Sequence, residues 1–136
     1  MKDHKDLDVW KVSVDLVLEV YNLTRNFPKE EMYGLTNQIR RCAVSIPSNI
    51  SEGAARNTEK EFVQFLYIAL GSASELETQL IIANKLNYAT EIDQLFSDLT
   101  AVMKMLNGLI RHYKNKSGIS KQGSETRDQG SGTSKE

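Results

Sequence analysis

Two guanidinium side chains, Arg40 and Arg41, stand immediately before the only cysteine, Cys42, and two further cations, Arg56 and Lys60, follow downstream. Guanidinium forks contact phosphate oxygens in pairs, so these four cations could line a surface for a nucleic-acid backbone. The same arginines could depress the pKa of Cys42 and make its thiol nucleophilic. Cys42 also lies beside an apolar stripe as a small packing residue, and no histidine is near it in sequence to act as a base. Gln38, Ser45, Asn49 and Glu52 run through the same stretch. Their donors and acceptors suit a polar seam at a helix or subunit contact as well as a ligand surface, with Arg41 paired to a carboxylate such as Glu52 or one from a neighbour.

Other chemistry is poorly provided for. A carboxylate-bridged dimetal site needs Glu-x-x-His on facing helices, and the sequence has no such motif. His4 stands near the start, and His112 falls in the last turn of a helical segment, where a cation complements the helix dipole. Neither a Gly-rich phosphate loop, a Ser/His/Asp set nor an opposed carboxylate pair is evident, so the sequence predicts neither metal nor cofactor and no catalytic residues. One cysteine allows no internal disulfide.

The elements that must position the cations are helical. Lys11, Asp15, Glu19, Asn22 and Asn26 recur at helical spacing opposite Trp10, Val14, Val17 and Tyr21, with Val9, Leu16, Val20 and Leu23 as a flanking row. This first helix must end before Phe27-Pro28, because a residue preceding proline avoids the helical region. Leu35, Ile39, Ala43, Ile46 and Ile50 carry a second stripe straight through Pro47, which predicts a kinked helix from about Leu35 to Glu52 closed by Gly53. Thr58 and Glu61 have capping-box spacing at the start of a third helix ending near Asn87. Within it, Gly71-Ser72-Ala73-Ser74 predicts close approach of another helix. Thr90 is placed to cap a fourth, whose stripe runs from Ile92 to Tyr113 with Phe96, Met103 and Ile110 beside it. Four such helices with short connections predict an all-α, up-down-up-down bundle.

The 136 residues suit one domain, with a flexible start at 1–6, the bundle at 7–113 and a polar, disordered tail at 114–136. The overall charge of −1 is divided. The tail has 5 Lys+Arg and 3 Asp+Glu, which leaves 12 and 15 in residues 1–113, a net −3. No run is long and apolar enough to cross a bilayer and the charged N-terminus has no signal core, so a soluble cytoplasmic protein is expected.

The stretch Phe27-Pro28-x-x-Glu31-x-Tyr33-Gly34-Leu35-Thr36-x-Gln38-Ile39-Arg40-Arg41-x-Ala43-Val44-Ser45-Ile46-Pro47-Ser48-Asn49-Ile50-Ser51-Glu52-Gly53 resembles the signature of the bacterial four-helix bundle family named for 23S rRNA intervening sequences. Leu7 and Trp10 before it, and Phe62, Phe65, Ala69, Gly71-Ser72 and Glu75-Leu76-Glu77 after it, extend the resemblance over about residues 5–113. Ser51 replaces the usual Ala, and Ala54-Ala55 stands where Gly often precedes the arginine. The family is similar to the accessory variability protein of diversity-generating retroelements, a strongly basic five-membered ring that binds nucleic acid and a reverse transcriptase. The resemblance implies a homopentamer with heterologous contacts that close. It further implies a non-enzymatic role in binding structured RNA or a nucleic-acid-processing enzyme through Arg40, Arg41, Arg56 and Lys60. A protein-interaction adaptor without nucleic-acid binding is the alternative.

Overall fold

The computed structural model describes residues 3–117. Its four helices are α1 (Asp8–Thr24), α2 (Leu35–Ala54), α3 (Glu59–Lys85) and α4 (Asp93–Ser117), with single 3-10 turns at His4–Asp6 and Lys29–Glu31. Each helix packs on its neighbours in sequence, and α1 closes against α4. The all-α four-helix bundle expected from the periodicities is the observed architecture. Among the described residues no helix is long and apolar enough to cross a membrane.

The core is built from the i, i+3/i+4 stripes. Ile39, Ala43, Ile46 and Ile50 of α2 meet Phe62, Leu66, Ala69, Ala73, Leu76, Leu80 and Ala83 of α3, all fully buried. The α4 stripe adds Leu99, Val102, Leu106 and Ile110. On α1 the centre of the inward face is rotated onto the expected flanking row: Val9, Leu16 and Val20 are buried, whereas Tyr21 is exposed. The rotation depends on two small polar residues that the apolar pattern leaves out. Ser13 donates to the Trp10 carbonyl (2.9 Å) and Thr24 to the Val20 carbonyl (2.8 Å), so both hydroxyls enter the core already satisfied.

Pro47 lies inside α2, which is helical on both sides of it. Gly53 does not close this helix but belongs to its last turn. A Cβ there would come within 2.7 Å of Phe65 Cβ and 2.9 Å of Phe62 Cδ1, so the missing side chain is what lets α3 approach. Gly71 behaves in the opposite way to its expected role, because a Cβ there would meet nothing within 4 Å. Close α2–α3 packing comes instead from Ala69 and Ala73, both buried, and from a 2.8 Å hydrogen bond between the Ser45 and Ser72 hydroxyls.

The ends of the helices show further differences. Thr58 accepts from the Glu61 amide (3.1 Å), but its hydroxyl, not its amide, donates to the Glu61 carboxylate, so one half of the capping box forms. Asn87 adopts the left-handed conformation (φ 65°) just past α3. Thr90 does not cap α4; Ile92 is buried and its carbonyl accepts the Phe96 amide (3.0 Å), which starts the helix at Asp93. Near the start, the Asp3 side chain accepts the Lys5 amide (3.1 Å), and His4 packs edge-on against Trp10. At the other end α4 continues past Tyr113 to Ser117. Lys114 donates to the Tyr67 hydroxyl (3.3 Å) and Lys116 pairs with Glu59 (3.0 Å), tying this extension to α3. The rest of the expected disordered tail, from 118 on, lies outside the described residues.

Candidate nucleic-acid interface

Helix α2 carries the densest set of candidate residues, and its start is fixed by Glu31. That carboxylate accepts the Leu35 amide (3.1 Å) through Oε1 and the Tyr88 hydroxyl (3.0 Å) through Oε2, so one side chain caps α2 and holds the α3–α4 connection. A Cβ at Gly34 would lie 2.9 Å from Glu31 Oε1, so a side chain there would make this carboxylate shift.

Arg40 and Arg41, one residue apart, have different surroundings. Arg40 Nε donates to Thr24 Oγ1 (2.8 Å), and its guanidinium lies 4.5 Å from the centre of the Tyr21 ring. Its position is therefore set by α1. Arg41 is exposed and makes no hydrogen bond or ion pair among the described residues. The expected pairing of Arg41 with Glu52 does not occur. Those residues are three turns apart, about 16 Å along the axis, whereas Arg56 is one turn from Glu52 and takes its carboxylate at 2.9 Å. Both arginines border a groove of about 430 Å³ between α1 and α2, together with Tyr21, Asn37 and Val44.

The other two cations are elsewhere. Arg56 stacks 4.8 Å from the centre of the Phe65 ring and Lys60 is exposed in the first turn of α3. Lys114 and Lys116 reach the same end of the bundle through Tyr67 and Glu59. The structure thus divides the predicted set into two basic regions, separated by roughly 20 Å of α2. The residues of the seam are engaged within the chain. Ser45 bonds Ser72, and the Asn49 amide donates to the Ser45 carbonyl (2.8 Å) and hydroxyl (2.9 Å). Gln38 lines a second, polar cleft of about 390 Å³ between α2 and α3, with Tyr33, Asn37, Arg41, Cys42, Glu75 and Gln79.

Cys42 is half-buried in that cleft. Burial and the nearby Glu75 carboxylate push its thiol up from the usual range, against the opposing influence of Gln79 and Arg41, so it favours the neutral thiol over a nucleophilic thiolate. Among the described residues no group of three or more His, Cys, Asp and Glu side chains could hold a metal ion.

One constellation was not found by reading along the chain. Glu19 of α1 and Asp98 of α4 are opposed carboxylates, and burial, a hydrogen bond to Asp98 and the charges of Asp98 and Asp15 push Glu19 up to about 7. The Gln94 amide donates to Asp98 (2.9 Å) on the other side. No local motif announces a pair contributed by the first and last helices; only the correct pairing of those helices would have found it.

Comparison with known proteins agrees with this architecture. The crystal structure of a protein of unknown function from the S23 ribosomal protein family of Bacteroides thetaiotaomicron superimposes with a TM-score of 0.70 at 27% identity, covering 76% of this chain and 95% of that one. No curated protein matches the sequence. The family model described as 23S rRNA-intervening sequence protein matches residues 5–108, which include α1 to α3, the larger part of α4 and both arginines of the α2 groove. With most of the chain inside that match, the protein belongs to the 23S rRNA-intervening sequence protein family.

Proposed function

We propose that the protein is a non-enzymatic, ring-forming helical bundle that binds structured RNA, with α2 as the contact helix. The observation that carries this reading is the position of Arg41, exposed at the edge of two clefts and in no ion pair among the described residues. Arg40 stacked on Tyr21 adds an oriented guanidinium beside it. Arg56, Lys60 and Lys116 supply the second region, about the length of several nucleotides away. Assembly into a ring, a pentamer by family resemblance, would repeat both regions around an axis and sum their fields.

A second reading, an adaptor for a protein partner such as a nucleic-acid enzyme, is favoured by one feature. Helix α3 exposes Tyr67, Ile68, Ile81 and Ile82 at 42–50% of their surfaces, and such side chains suit a protein contact. The test that separates the two readings is a titration of labelled rRNA fragments at low salt with the native protein and the Arg41→Ala/Lys60→Ala variant. Tight binding by the native protein and a tenfold or greater loss in the variant, on the order expected for lost phosphate contacts, supports RNA binding. Indifference of a well-folded variant supports the adaptor.

A further inference from the structure

We propose that the α2–α3 cleft bounded by Tyr33, Arg41, Glu75 and Gln79 receives an unpaired guanine base from a bound RNA strand, an inference that rests on the RNA-binding reading above. The cleft volume of about 390 Å³ falls in the range of about 300–1,000 Å³ that holds small ligands. Its lining is unusual for a surface that meets only phosphates. Glu75, a carboxylate, faces the same space as Arg41, and neither is in an ion pair among the described residues. A carboxylate repels a phosphate backbone but is the natural acceptor for a base that presents two adjacent donors.

Guanine has that pattern. Its N1–H and N2–H groups match the two oxygens of a carboxylate, while O6 and N7 match an arginine fork. Adenine lacks the paired donors, and cytosine offers only its exocyclic amine. The remaining walls fit a flat, polar-edged ligand. Asn37 and Gln38 contribute amides. Gln79, only 6% exposed, completes the lining. At the mouth stands Tyr33, 94% exposed. An aromatic ring so placed gives a splayed base a stacking surface, the usual mode by which single-stranded RNA is read.

The test uses the full-length native protein and labelled single-stranded uridine heptamers carrying one central G, A, C or inosine, followed by fluorescence anisotropy. The G strand is expected to bind about tenfold or more tighter than the A strand, in keeping with one bidentate base contact. Inosine, lacking the N2 amine, is expected to fall between them. Glu75→Ala removes an exposed side chain, so the fold is retained, and it should bring the G and A affinities to within about twofold while raising the A-strand affinity as a repulsive charge is lost. Tyr33→Ala should weaken the G strand without loss of helicity. Equal affinities for all strands, or a G preference that survives Glu75→Ala, would overturn the guanine site and leave the RNA reading standing. Absence of binding to every strand and to rRNA fragments would remove both.

Discussion

Arg40 is held by Thr24 and the Tyr21 ring, whereas Arg41 beside it has no hydrogen bond or ion pair among the described residues. Substitution should therefore separate structure from binding. Arg40→Ala is expected to cost about 1–2 kcal/mol in chemical denaturation, the combined worth of a charge-assisted hydrogen bond and a cation–π contact. Arg41→Ala should leave stability within about 0.5 kcal/mol and weaken RNA binding across sequences, with a reduction of about one in the salt slope. The pair is adjacent in sequence, so its presence was legible there; the difference in role was not, because it depends on where α1 lies. The Glu19–Asp98 pair was hidden for the same reason. Since Glu19 titrates near 7 in the fold against an ordinary value of 4.5, the native state favours its protonated form. That contribution is fully present below about pH 4.5 and is lost as pH rises through about 7. Thermal melts should show Glu19→Gln raising the midpoint at pH 8 by roughly 2–4 °C, with little change at pH 5. An equal shift at both pH values would contradict the assignment.

At the scale of the helices, apolar spacing alone placed the inward stripes of α2, α3 and α4, since burial of a contiguous face dominates their energetics. On α1 it included the buried row of Val9, Leu16 and Val20 but centred the face on Val14 and Tyr21, because Ser13 and Thr24 count as polar until their hydroxyls are seen bonded to the preceding turn. Glycine was read least well, as its use depends on the neighbour it admits. Gly53→Ala must push Phe65 or Phe62 aside and should destabilise by about 2 kcal/mol, a typical cost of overpacking. Gly71→Ala meets open space and should stabilise the isolated bundle by about 0.5–1 kcal/mol through helix propensity. Denaturant titration distinguishes the two signs. Pro47 lies within α2 at a cost of about 3 kcal/mol in an ideal helix, and we expect it to set how that helix meets other copies. Pro47→Ala should keep its far-ultraviolet circular dichroism and change its oligomer mass by light scattering; unchanged mass together with unchanged stability would contradict this role.

For the whole molecule, the near-neutral composition conceals local groups of like charge. Acid at Asp15, Glu19 and Asp98 lies along α1 and α4, and Arg40 and Arg41 lie on α2. The number of helices, their order and the family signature around Pro47 could all be read from the chain, because they follow from local periodicity. The clefts could not, since α2 and α3 must be docked before Arg41, Glu75 and Gln79 share a space. The central claim is that this bundle binds RNA through its arginines, and the most direct measurement is the affinity of the native protein for rRNA fragments at several salt concentrations. Contacts to phosphates predict a linear fall of log affinity with log salt, with a slope of about −0.7 to −0.9 for each phosphate neutralised. An affinity no tighter than about 10⁻⁴ M at low salt, ordinary for non-specific association, would contradict the account.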